Sequence, residues 1–355
     1  MRFDLDEQQR AFQDAVVDYL RAECPMNRAL EPHEHGQADF ALWRGLMDLG
    51  IGGMVVPEEY GGLGLGLLDL AVVAEPVGRY AMPGPFFEHA LATLAITIAA
   101  SEEQKAKWLP ALVTGELRAT VALAEAKGEW TADTWTLEGE GQLTGRKQYV
   151  LHAEGADLIV VGLKGGALAV VQGDAGGIDR TDVPSTDAGR TLAHLEFNQV
   201  AIEHLPIKAG ESVVDAGLIL LAADAFGGAS RAVNLAVEYS KEREQFGQVI
   251  GAFQAVKHQL ADMALMVEPC VGLYWYAAHM FDTAPLGAHE AAALAKAHIT
   301  EVYPKVTRRM IEAHGGIGYT WEYGAHIWLK RALFDQAYLG MPQSHRARVA
   351  TMSGW

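Results

Sequence analysis

The chain has 355 residues, 28 Lys plus Arg against 45 Asp plus Glu, and a half-hydrophobic composition with 38 glycines. That excludes disorder as the main state, and at roughly 100 to 200 residues per domain it predicts two or three domains. A net charge of −17 leaves no electrostatic footprint for a polyanion, which disfavours nucleic acid as the principal partner.

Residues 1–118 read as an N-terminal helical domain. Phe12, Val16, Tyr19 and Leu20 recur at spacings of three and four behind an acidic start. Pro57 and the glycines at 61, 62, 64 and 66 interrupt that period. Within it, His33 and His35 have a spacing that suits an exposed loop better than a metal site, and no metal is expected. Residues 119–208 read as a middle β domain, because short runs such as Tyr149-Val150-Leu151 and Leu158 to Val161 are separated by Gly, Asp and Thr clusters. Residues 209–355 return to the helical period, with Leu235 and Tyr239 on one stripe and Val256, Leu260 and Met263 on another. The aromatic set Tyr274, Trp275 and Tyr276 reads as bundle core, with the wall of a ligand cavity as the alternative.

The order is α, then β, then α, an α+β arrangement without alternating βαβ units. There is no GxGxxG after a strand and no GxxxxGK[ST], so a nucleotide cofactor needs another device. Cys24 and Cys270 form no CxxC and are expected to be reduced thiols in a cytoplasmic chain. The most apolar run, Ala216 to Ala229, contains Asp224 and falls short of the roughly 20 uninterrupted apolar residues of a bilayer span, so no membrane segment is expected.

Three blocks are distinctive. Val56-Pro57-Glu58-Glu59-Tyr60-Gly61-Gly62-Leu63-Gly64 is a Gly-rich turn. Arg243-Glu244-Gln245-Phe246-Gly247, followed by Phe253-Gln254, reads as a helix ending at a glycine. Its Arg either complements the helix dipole or clamps a pyrophosphate by paired hydrogen bonds. Glu312-Ala313-His314-Gly315-Gly316-Ile317-Gly318 lets backbone approach a ligand closely.

Together, in this order on an α-β-α chain, the blocks resemble the acyl-CoA dehydrogenase family over essentially the whole length. The resemblance implies an N-terminal helical domain, a middle β-barrel-like domain and a C-terminal four-helix bundle. It also implies FAD as cofactor, an acyl-CoA substrate that loses its α and β hydrogens, and electron-transfer flavoprotein as acceptor. Contacts to the pyrophosphate and adenosine of a neighbouring subunit's FAD carry over to Arg243, Gln245, Phe246, Gln254, Glu312, Gly315 and Gly316. Glu312 stands where the family usually has Gln.

The departures are as informative. The family's usual base, the Glu of a Tyr-Glu-Gly triplet, falls on Tyr338-Leu339-Gly340. A second group of members carries its Glu 26 residues before the Arg of Arg-x-x-Phe-Gly, which is Gly217 here. The flavin-side segments Thr-Glu-Pro and Gly-Ser-Asp read Leu123-Ala124-Glu125-Ala126-Lys127-Gly128, and the residues lying against isoalloxazine become Tyr149-Val150-Leu151. Leu151 has no side-chain hydrogen bond to offer flavin N5. Met341-Pro342-Gln343 likewise loses the hydroxyl of the usual Thr-x-Gln.

Asp224 is the remaining acidic candidate for the catalytic base, on a helix two turns, or about 10 Å, beyond Gly217. The alternative is a packing carboxylate bonded to Arg231 or His314. The favoured reading is a subunit of a heteromer. A paralogous partner supplies the base and the isoalloxazine pocket, as in the bacterial enzymes acting on steroid side-chain CoA thioesters that the pattern resembles. A self-sufficient dehydrogenase and a silent acyl-CoA-binding scaffold are the alternatives.

Overall fold

The first helix follows from its cap. The Asp6 side chain accepts from the Gln9 N–H at 2.8 Å and the Gln9 side chain accepts from the Asp6 N–H, a reciprocal box that starts α1 (Glu7–Glu23). Val16 and Leu20, one turn apart, bury its inner face. The computed structural model describes residues 4–36, 40–125 and 129–355. Five more helices complete the first unit: α2 (Met26–His35), α3 (Phe40–Asp48), α4 (Leu67–Arg79), α5 (Phe86–Ala99) and α6 (Glu102–Val113). Pro57 and Gly61, the latter at φ 87°, sit in the break between α3 and α4. His33 lies within α2 rather than in an exposed loop, and its side chain is buried toward Asp187, 3.4 Å away.

The middle unit is two small sheets around one apolar core. One runs β1 (Ala119–Ala122), β3 (Leu158–Leu163), β4 (Ala167–Gln172) and β7 (Glu203–Leu205), with β1 and β3 parallel. The other places β6 (Leu192–Ala201) between β2 (Gln142–Leu151) and β5 (Ile178–Val183), all antiparallel. β3 is buried along its whole length, which accounts for its unbroken apolar run. The β2–β6 register shifts between Lys147 and Val150, and Tyr149 takes φ 55° at that bulge. Lys147 is fully buried and donates to Glu125 at 2.9 Å. Burial opposes charge on Glu125, but hydrogen bonds from Thr136 and Lys147 outweigh it and hold the carboxyl down to about 2.

The last unit contains α7 (Gly210–Glu242), α8 (Gln254–Val267), α9 (Cys270–Thr283), α10 (Pro285–His314), α11 (His326–Ala337) and α12 (Pro342–Met352). α10 and α4 pack along α7. At the α4 crossing the backbones touch: a Cβ on Gly78 would overlap the Asp224 backbone, and one on Gly227 the Glu75 backbone. α7 is long and apolar enough to cross a bilayer by length and composition alone. Here it is the centre of the protein, with 94% of its most apolar window buried. Asp224, inside that run, has its charge compensated within the fold. Cys24 and Cys270 are buried thiols outside any disulfide, and burial pushes the Cys270 thiol up to about 12.

Candidate active site and cofactor rim

The two positions where relatives place a base meet face to face. Leu339 lies in the turn between α11 and α12, at φ 56° and 1% exposed, and its side chain packs on Gly217 of α7. A Cβ at residue 217 would stand 2.6 Å from Leu339 Cδ1 and 3.2 Å from Leu91 Cδ2, with the Phe87 ring next in line. The left-handed Leu339 is held from behind: Lys296 Nζ donates to Gln336 O at 3.3 Å and Gly340 O at 3.2 Å, and His345 Nε2 lies 3.0 Å from Leu339 O. Burial draws Lys296 down to about 7. Both base positions are thus closed into one apolar contact that offers no proton acceptor.

The neighbouring wall is aliphatic and aromatic at its base. Val150 and Leu151 are fully buried at the end of β2. Trp130 leans on Tyr338 at 4.8 Å and on Tyr149 at 6.0 Å, and Phe334 stacks on Tyr338 at 5.1 Å. These rings line a groove of about 320 Å³, and a cleft of about 610 Å³ runs beside Leu339 and Gly340 toward Ser344 and Arg348. Val150 and Leu151 themselves have no side-chain hydrogen bond to offer an isoalloxazine. Ala126, Lys127 and Gly128 of the adjoining segment lie outside the described residues.

Asp224 is 2% exposed, and its partners are not Arg231 or His314. Arg231 pairs with Glu238 on the surface, and His314 lies between Met310 O and the Tyr323 hydroxyl. Arg190, from the β5–β6 connection, donates to Asp224 Oδ2 at 2.5 Å, and Arg331 of α11 reaches the same oxygen at 3.4 Å. Sequence reasoning also missed Glu88 of α5 and His152, a buried hydrogen-bonded pair next to Leu151. The one available signal was a polar residue placed directly after the Tyr-Val-Leu strand.

A second region has the opposite character. The helix α7 ends at Glu242 rather than at a glycine: Arg243 is its cap, and residues 244–249 form a hairpin of β8 (Glu244–Gln245) and β9 (Gln248–Val249). Phe246 and Gly247 make the turn, at φ 55° and 80°, with Phe246 94% exposed. The alternation of a two-residue strand is too short to read from sequence. Arg243, Gln245, Gln254, Glu312, Gly315 and Gly316 are all exposed. The end of α7 is joined to the glycine turn by Tyr239, whose ring stacks on His314 at 4.4 Å. Gly315, at φ 63° and ψ −140°, occupies a region essentially reserved for glycine. A Cβ at Gly247, Gly315 or Gly316 would meet nothing within 4 Å, so a ligand can lie against the backbone there. The Arg243 guanidinium, the Gln245 and Gln254 amides and the bare backbone at Gly315 and Gly316 are exposed groups whose chemistry suits a pyrophosphate and an adenosine, whereas the Glu312 carboxylate would repel phosphate. Among the described residues there is no cluster suited to a metal ion.

Comparison with known proteins agrees with this architecture. The N-terminal domain of acyl-CoA dehydrogenases matches residues 6–116, and their C-terminal domain matches residues 211–353. Acyl-CoA dehydrogenase IpdE2 of Mycobacterium tuberculosis is 32% identical over 314 residues, spanning 88% of this chain and 86% of the relative. A solved Tcur3481-Tcur3483 steroid ACAD variant superposes with a TM-score of 0.90 at 31% identity, covering 98% of each chain. The ChsE4-ChsE5 complex from Mycobacterium tuberculosis gives 0.91 at 26% identity, covering 100% of this chain and 99% of that one. With helical, sheet and helical-bundle units in the same order and relatives matched nearly end to end, the chain belongs to the acyl-CoA dehydrogenase family.

Proposed function

We propose that this chain is one subunit of a heteromeric, FAD-dependent acyl-CoA dehydrogenase, and that a paralogous partner supplies the catalytic base and the isoalloxazine pocket. FAD, when bound, accepts a hydride from Cβ of the acyl thioester while a base removes the α proton. This chain contributes the rim. The Arg243 guanidinium grips phosphate oxygens by charge-assisted bonds, Gly315 and Gly316 admit those phosphates to the backbone, and Gln245, Phe246, Gln254 and Glu312 border the adenosine side. The observation that carries the reading is the contact of Leu339 on Gly217. It closes both known base positions in the same protein whose outward-facing rim stays open. Asp224, the other candidate base, is held between two arginines, which favours a packing role.

The likeness to a steroid ACAD structure supports a steroid side-chain CoA ester as substrate. Electron-transfer flavoprotein is the proposed acceptor and the cytoplasm the proposed compartment. Flavin stoichiometry tests the reading. The isolated chain is expected to be colourless, and co-expression with a genomically adjacent paralogue is expected to give a yellow complex with a single FAD per pair. A yellow, active isolated chain would install the self-sufficient reading. If no paralogue restores flavin, the chain is a scaffold.

A further inference from the structure

A cavity of about 600 Å³ opens between the first unit and the middle unit, a size in the range of small-molecule sites. Phe40 at the start of α3, Arg118 just before β1, His152 just after β2 and Val183 at the end of β5 stand on its wall. It shares Ser185 and Leu192 with the aromatic groove and none of that groove's rings, so it is a separate site.

Two side chains on this wall lack the partners their chemistry calls for. Arg118 Nε is buried without a hydrogen-bond partner, and Nη2 donates to the Glu154 carbonyl at 3.4 Å. The guanidinium rests on the Phe40 ring, 4.2 Å from its centroid. Asp157, Glu88, Glu154 and Arg44 are the charged groups that face it, and among the described residues it forms no ion pair with the three carboxylates. Asp157 accepts instead from the Arg118 backbone N–H, and Glu88 is engaged by His152. His152 is 3% exposed, with Nδ1 hydrogen-bonded to Glu88 and Nε2 without a partner. Its backbone stands at φ 41°, a left-handed conformation that costs energy outside glycine and collects at ligand sites. Buried nitrogens left without partners cost stability, and a ligand that hydrogen-bonds them recovers it.

We infer that this cavity binds a small organic monocarboxylate with an apolar body. The carboxylate takes the Arg118 guanidinium by charge-assisted bonds, with His152 Nε2 as a second hydrogen-bonding position, and the body lies on Phe40, Val183 and Leu192. The charge of the head group follows from its surroundings. Glu154 and Asp182 line the cavity in exposed positions, and Glu88 and Asp157 also face Arg118. A dianion such as a phosphate monoester is repelled by these carboxylates, whereas one negative charge is matched by the guanidinium it touches.

Titration of the full chain with para-fluorobenzoate, followed by fluorine NMR, tests this. The measurement needs neither flavin nor partner subunit, so its outcome is independent of the heteromer. Saturable binding is expected, at least tenfold weaker for para-fluorobenzamide, which has the same shape without the charge. Arg118→Gln should weaken binding of the acid at least tenfold and leave the amide unchanged, the ratio of a charge-assisted bond. Should that variant fail to fold, the wild type still decides, because the acid should protect residues 152–155 and 182–193 from hydrogen exchange. The inference is overturned by absence of saturation at millimolar acid, by equal binding of acid and amide, or by an unchanged Arg118→Gln. Tighter binding of inorganic phosphate, or protection confined to other segments, overturns it equally.

Discussion

The turn at Leu339 and the rim at Gly315 both follow helices of the same bundle, and both are built on residues with positive φ. At the turn the unusual backbone drives an aliphatic side chain inward against Gly217, and Lys296 and His345 hold it there. At the rim it leaves glycines with open space and a phenyl ring in solvent. The difference teaches where each region meets its complement. The first is satisfied within the chain, and the second has its hydrogen-bonding groups and its apolar surface facing outward.

Three substitutions sharpen that contrast. Arg190→Ala acts on the closed side and leaves Asp224 and Asp335 of α11 without their common cation. It is expected to cost about 3 to 5 kcal/mol in denaturant unfolding. A loss below about 1 kcal/mol would show that these ion pairs do not hold the units together. Leu339→Ala removes a fully packed side chain, and about 2 to 4 kcal/mol is expected by the same measurement, with most of the effect from the cavity left against Gly217. Arg243→Ala acts on the open side. Its stability change is expected to stay within about 0.5 kcal/mol. FAD retention by the heteromer should weaken by the about 1.5 to 3 kcal/mol of a charge-assisted hydrogen bond. Unchanged flavin occupancy would remove Arg243 from the proposed contact.

Much of this was legible in the sequence where the signal is local. Helical spacing in α1, strand-and-turn punctuation from Ala119 to Leu205 and the blocks at Arg243 and Gly315 each occupy a short stretch of chain. What remained hidden is non-local. The partners of Asp224 lie 34 residues before it and 107 after it, so no window around the helix contains them. The closure of the base positions depends on Leu339 and Gly217 meeting across two helices, and sequence shows only that each lacks a carboxylate. His33 was misplaced for the same reason, since its partner Asp187 belongs to another unit. The hairpin at 244–249 escaped because two residues per strand carry no periodicity.

The length and apolarity of α7 have a consequence for biogenesis. As synthesis proceeds, this helix emerges before α10, the element that packs along it on one side. Until that second helix leaves the ribosome, the nascent polypeptide displays a segment whose composition matches a bilayer span. The compensating arginine Arg190 has already been made, but Arg331 and Asp335 have not. Slower translation through α8 and α9 is therefore expected to lengthen the interval in which α7 is exposed to misfolding and aggregation.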